Sequence, residues 1–120
     1  MPSTVFIVDD EKNIRRTVRM VLEGEGYSVE EASSGEEALA RIAEIGADVV
    51  LLDVQLPDVD GFRVAEALND DPPSPAVVLV SSRSGGDYGS RLTSSPARGF
   101  IPKADLSGEG LQRVLDGVAS

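Results

Sequence analysis

The chain has 120 residues, no cysteine, no histidine and a formal net charge of -10. That length fits one domain with a core large enough to need no staple, and the missing cysteines exclude disulfides and zinc–thiolate sites. The acidic balance repels nucleic-acid phosphates, and no apolar run reaches membrane-spanning length. No basic-then-apolar signal segment opens the chain, so a single cytoplasmic domain over residues 1–120, with no membrane or direct nucleic-acid partner, is the expectation. Any histidine chemistry must be supplied by a partner.

Val5-Phe6-Ile7-Val8 is all apolar, as a strand buried on both faces requires, and Asp9-Asp10 closes it. Ile14, Val18, Val21 and Leu22 then recur at helical spacing, predicting a helix from about Glu11 to Glu23 that Gly24 and Gly26 stop. Tyr27 to Glu31 alternates apolar with polar, as an edge strand with one wet face would. Ser33 or Ser34 can cap a helix through Ile45, with Ala38, Leu39, Ile42 and Ile45 expected inward and Gly46 at its end.

Val49-Val50-Leu51-Leu52 is the next buried strand, and it ends on Asp53. In the following turn Pro57 fixes one φ angle, and Gly61 is expected for backbone angles that other residues avoid. Asp60 is a candidate N-cap for a helix of about Gly61 to Asn69 that presents Phe62, Ala65 and Leu68. Pro72-Pro73-Ser74-Pro75 leads stiffly into the strand Ala76 to Val80. A Ser/Gly-rich stretch follows, where a weak helix is expected between about Gly86 and Ser94, anchored only by Tyr88 and Leu92. Gly99-Phe100-Ile101-Pro102 is a short strand suited to an edge. Ser107 can cap a last helix carrying Leu111, Val114, Leu115 and Val118.

Five strands alternating with helices predict an α/β fold, a doubly wound parallel sheet with helices on both faces. The all-apolar strands belong in the centre, which selects the order 2-1-3-4-5 with its switch point between strands one and three. Ligand chemistry in such sheets lies at the carboxyl ends beside that switch. Asp9, Asp10, Asp53, Ser81 and Lys103 all fall there. Each alone can be a cap or a solvated side chain, but two carboxylates ~4 Å apart repel by ~4 kcal/mol at an effective dielectric of about 20. Three converging ones call for a hard cation such as Mg2+, and an added lysine and hydroxyl suit an anion that also binds Mg2+. Phosphoryl is such an anion.

These residues resemble the receiver domain of two-component response regulators, which has a flavodoxin-like fold. The matching segments are Val8-Asp9-Asp10-Glu11, Leu52-Asp53-Val54-Gln55-Leu56-Pro57-Asp58-Val59-Asp60-Gly61, Val80-Ser81-Ser82 and Gly99-Phe100-Ile101-Pro102-Lys103, in family order across nearly the whole chain. The resemblance implies that Asp53 accepts a phosphoryl group from a phosphohistidine of a sensor histidine kinase or histidine phosphotransfer protein. It implies Mg2+ ligation by Asp10 and Asp53, with Asp9 near the ion and the Gln55 backbone carbonyl completing the set. Ser81 and Lys103 would contact the phosphoryl group, and Phe100 would be the aromatic switch. The output would pass to a downstream protein or to an effector domain outside this chain.

Some positions depart from the family pattern. Ser81 stands for the commoner threonine, and Ala104 follows Lys103 where proline is usual, so this peptide bond is biased to trans by ~2.5–4 kcal/mol. Gln55 and Arg83 occupy positions that tune acyl-phosphate hydrolysis in the family. The alternative reading is a Mg2+-dependent aspartyl-phosphate phosphohydrolase with Asp53 as nucleophile. Its general acid would stand at Gln55, which cannot supply a proton. A receiver acting without phosphate is disfavoured because every expected site position has usable chemistry. Lys12, Arg15, Arg16 and Arg19 further suggest that the first helix docks the phosphoryl donor, against the plain alternative of a solvated face.

Overall fold

A computed structural model describes residues 4–70, 74–82, 88–106, 109–111, 113 and 116. In chain order it contains β1 (Thr4–Val8), α1 (Lys12–Gly24), β2 (Ser28–Ala32), α2 (Gly35–Ile45), β3 (Val49–Asp53), α3 (Gly61–Asp70), β4 (Ala76–Ser81), α4 (Ser90–Ser94) and β5 (Gly99–Pro102). A single 3-10 turn, Lys103–Asp105, follows β5, and residues 109–111 are helical. The strands form one parallel sheet in the order β2-β1-β3-β4-β5. This is the expected doubly wound arrangement.

Burial pattern explains the order. Every residue of β3 and β4 is buried, whereas β2 is mixed and β5 buries only Ile101. Because side chains alternate across a strand, each central strand feeds two cores. Phe6, Val8, Val50, Leu52, Val77 and Leu79 pack with Ala38 and Ile42 of α2 and with Phe62, Ala65 and Leu68 of α3. Val5, Ile7, Val49, Leu51, Val78 and Val80 pack on the other face with Val18 and Leu22 of α1 and with Leu111.

Local signals set the element ends. Ser34, rather than Ser33, caps α2 by accepting from the Glu37 N–H at 3.2 Å, and Gly46 ends the helix at φ 73°. Asp60 accepts from the Phe62 N–H at 2.9 Å at the start of α3.

Three expectations need correction. Leu39 and Ile45 are each 36 % exposed rather than inward. Leu39 lies ~100° around α2 from buried Ala38, and Ile45 is the helix's last residue before the Gly46 turn. Gly61 does not have a positive φ; among the described residues the glycines that do are Gly26, Gly46 and Gly89. Gly61 is required for space instead, since a Cβ there would stand 2.4 Å from the Asp53 carbonyl oxygen and 2.7 Å from Val54 Cα. The fourth helix begins at Ser90, later than expected. Pro72, Pro73, Arg83, Gly86, Ser107, Val114, Leu115 and Val118 lie outside the described residues.

Candidate functional site

The parallel sheet aligns the carboxyl ends of β1, β3, β4 and β5 on one rim. Asp9 follows β1, and its N–H continues the ladder to the Ala32 carbonyl at 3.2 Å. Asp53 ends β3 opposite Val80, and the Val54 N–H donates to the Val80 carbonyl at 2.9 Å. Ser81 ends β4, paired with Pro102 of β5, and Lys103 opens the turn after β5. Asp9, Asp53 and Ser81 are buried at 2 %, 3 % and 0 % exposure, values that make them buried polar groups rather than solvated strand ends. Asp10 is exposed.

Each buried carboxylate is fixed by its own chain two residues on. The Glu11 N–H donates to Asp9 Oδ1 at 2.8 Å, and the Gln55 N–H donates to Asp53 Oδ1 at 3.0 Å. The turn beyond Gln55 is closed by an antiparallel bridge between Gln55 and Asp60 and by the Gly61 N–H on the Val54 carbonyl at 2.8 Å. The absence of a side chain at Gly61 thus lets the turn lie against the Asp53 backbone.

Lys103 reaches into this rim. Its ammonium lies 2.7 Å from Glu11 Oε1, 3.1 Å from Asp9 Oδ2 and 3.3 Å from Asp53 Oδ2. Asp9, Asp10 and Asp53 each offer a carboxylate oxygen, all within 4.8 Å of one another. One ammonium therefore contacts three carboxylates, Asp9, Glu11 and Asp53, and the two buried ones, Asp9 and Asp53, have raised proton affinities. Burial pushes the Asp53 carboxyl up to about 6, with the Asp9 charge adding to it, against the opposing Gln55 N–H and Lys103. Burial likewise raises Asp9 despite the Glu11 N–H and Lys103. For Lys103 burial acts downward, but the Glu11 hydrogen bond and the Asp9 and Asp53 charges outweigh it and raise the ammonium's pKa. Three carboxylates at this spacing, two of them buried, fit a hard divalent cation such as Mg2+.

The hydroxyl side of the rim is built differently. Ser81 Oγ shares a hydrogen bond with the Tyr88 hydroxyl. The Tyr88 ring stands edge-on between Phe62, at 5.5 Å between centroids, and Phe100, at 6.0 Å. Phe100 is half-buried against the same core. Arg91 of α4 stacks 4.4 Å above the Phe62 ring and pairs with Asp60. Two site residues were missed from sequence. Tyr88 carried a signal, being the one large aromatic of the Ser/Gly-rich stretch, and Glu11 directly follows the aspartate pair.

The basic face of α1 is only partly free. Arg15 binds Glu31 at 3.0 Å and the Asp9 carbonyl at 2.6 Å, and Arg19 binds Glu31 and the Val29 carbonyl, both at 2.7 Å. These two arginines tie α1 to β2, so ion pairs within the chain engage two of the four basic groups expected to dock the donor. Lys12 and Arg16 are exposed. Asp58 also has an unforeseen role. Its two oxygens accept from the Gly35 and Glu36 N–H groups, each at 2.9 Å, latching the β3–α3 turn onto the start of α2.

Residues 5–114 match the family model of the response regulator receiver domain. The chain is 39 % identical over 94 residues to the transcriptional regulatory protein TrcR of Mycobacterium tuberculosis, covering 78 % of this chain and 37 % of that protein. It is 40 % identical over 81 residues to the transcriptional regulatory protein SrrA of Staphylococcus aureus, covering 68 % and 34 %. It therefore spans about a third of the length of these curated relatives. Among solved structures, the chemotaxis response regulator CheY4 of Vibrio cholerae superposes with a TM-score of 0.90 at 28 % identity, covering 98 % of this chain and 99 % of that one. The BeF3-activated DrrB receiver domain superposes with a TM-score of 0.86 at 27 % identity over 100 % of both chains.

Proposed function

We propose, for a chain that belongs to the response regulator receiver domain family of two-component systems, that Asp53 is its phosphoacceptor. The observation that carries this reading is the desolvated Asp53 carboxylate, 3.3 Å from Lys103 and within a 4.8 Å cluster with Asp9 and Asp10. Nothing in a plain strand end calls for that concentration of buried charge.

In the proposed reaction a carboxylate oxygen of ionised Asp53 attacks the phosphorus of a phosphohistidine. The P–N bond breaks as the O–P bond forms, and the electron pair returns to the imidazole, which takes up a proton. Asp10, Asp53 and the Gln55 carbonyl, with Asp9 alongside, would hold Mg2+, which when bound would supply positive charge to the phosphoryl oxygens. Lys103 trades its Asp53 contact for a phosphoryl oxygen, keeping Asp9 and Glu11 as anchors that aim it. Ser81 donates its hydroxyl proton to another oxygen. Phe100, packed against Tyr88, then carries the change outward as the switch. The donor is a sensor histidine kinase or histidine phosphotransfer protein, consistent with a chain that has no histidine of its own. The recipient is a downstream protein or an effector domain, and the setting is cytoplasmic.

Incubation with acetyl phosphate and Mg2+ tests the reading. Wild type should take up one phosphoryl group, Asp53→Asn none, and EDTA should abolish uptake. Equal labelling of Asp53→Asn and wild type would remove Asp53 from this role.

A further inference from the structure

The turn after β3 closes on itself. Gln55 and Asp60 form an antiparallel bridge, which makes residues 56–59 its tip, and Pro57 fixes one φ angle inside that tip. A tip this short moves with its base. The base in turn holds the Asp53 carboxylate, because the Gln55 N–H donates to Asp53 Oδ1 at 3.0 Å. Asp53 Oδ2 is left 3.3 Å from the Lys103 ammonium. If Gln55 shifts, the Asp53 side chain must follow it or lose its donor.

The tip is seated on the start of α2. Asp58 Oδ1 accepts from the Gly35 N–H and Oδ2 from the Glu36 N–H, each at 2.9 Å. Two bonds to one carboxylate fix its plane as well as its place. Beside them, a Cβ on Gly35 would run into Val59 Cγ1 and stand 3.4 Å from Leu56 Cδ1, so the apolar residues of the tip press on the same helix end. The local cap of α2, Ser34, serves a different group, the Glu37 N–H. The helix start therefore has one cap from its own segment and a second from the turn that carries Gln55, 22 and 23 residues further along the chain.

We infer that Asp58 is a positioning residue for the cation site. By pinning the tip to α2 it keeps the Gln55 N–H on Asp53 Oδ1, and so fixes the orientation in which Asp53 meets a divalent cation. Coupling of this kind is reciprocal. A cation that orders Asp53 also orders Gln55 and the tip, and the latch on α2 tightens as the site fills. The inference rests on Asp9, Asp10 and Asp53 forming a Mg2+ site.

Titration with MgCl2, followed by amide NMR shifts and by amide exchange, tests it. Asp58→Ala removes only an exposed turn side chain's contacts, and Ser34 still caps α2, so the variant should fold. It should bind Mg2+ about 3- to 10-fold more weakly, at or below the ~10-fold lower edge for groups bonded directly to a metal ligand. Exchange at the Gln55 amide should quicken as well. Asp58→Asn loses the same charge but keeps a carbonyl acceptor, so it should recover part of the affinity; the charge itself cancels between the two variants. Ser34→Ala, which weakens the same helix end through its local cap, should bind Mg2+ as wild type does. In wild type, Mg2+ should slow exchange at Gly35 and Glu36. Wild-type Mg2+ affinity in Asp58→Ala, no recovery in Asp58→Asn, an equal loss in Ser34→Ala, or exchange at Gly35 and Glu36 that ignores Mg2+ would each overturn the inference. Failure of wild type to bind Mg2+ would instead take down the Mg2+ site, and this inference with it.

Discussion

Replacing Asp53 with Asn removes a charge that the fold holds at a cost. The Asp53 carboxyl is raised from 3.8 to about 6, with burial as the leading cause. A shift of that size corresponds to roughly 3 kcal/mol between its protonated and ionised forms in the folded state. Between those two values the folded protein binds more protons at Asp53 than the unfolded chain does. Stability from this group is therefore fully present below about pH 4 and is lost as pH rises through about 6. Asparagine is free of that penalty and keeps a carbonyl oxygen for the Gln55 N–H. Its amide faces Lys103, which retains Glu11 at 2.7 Å and Asp9 at 3.1 Å. Allowing for that lost partner, Asp53→Asn should be more stable than wild type by about 1–3 kcal/mol at pH 7 without divalent metal. The comparison is made by urea unfolding in EDTA across pH 4 to 8. The difference between the two proteins should be near zero at the acid end and open up towards neutrality. Added Mg2+ should then narrow it, because a cation that binds only the folded wild type stabilises it. A variant no more stable than wild type at pH 7, or a difference independent of pH, would refute the electrostatic argument.

Gly61→Ala forces a Cβ to 2.4 Å from the Asp53 carbonyl and should cost about 1–3 kcal/mol in urea unfolding; a neutral result would mean that the turn yields freely. Lys12→Glu with Arg16→Glu should slow phosphoryl transfer from a cognate kinase while leaving uptake from acetyl phosphate unchanged, and equal slowing from both donors would dismiss docking through α1. Asp58→Ala should speed amide exchange at Gly35 and Glu36, since both lose their acceptor. The Asp58 carboxyl is held below its usual value by those two N–H groups, so its stabilisation is present above the unfolded value near 3.8 and is lost as pH falls. The Asp58→Ala penalty in melting temperature should accordingly shrink on acidification, and a penalty that grows there would contradict the latch.

Sequence alone determined the sheet and the rim. The unbroken apolar runs at Val5–Val8, Val49–Leu52 and Ala76–Val80 can satisfy burial on both faces only as central strands, and that requirement selects the strand order. Polar residues that end such runs must share one rim, because parallel strands all point the same way. Asp9, Asp53 and Ser81 were therefore legible before any coordinate. Tertiary structure decided which neighbours these residues meet. Periodicity carries no information about contacts across distant segments, so the arginines on α1 read as a free basic face until Glu31 on β2 was brought against Arg15 and Arg19. Gly61 read as a turn glycine, but the approach of the Asp53 carbonyl is what forbids a side chain there. Asp58 gained its α2 partners, and Glu11 its lysine, through packing of segments far apart in the chain. The largest such case is Tyr88, whose helix-poor surroundings suggested only a weak anchor. Folding set its hydroxyl on Ser81 and its ring between Phe62 and Phe100, a meeting of three segments that only the closed core brings about.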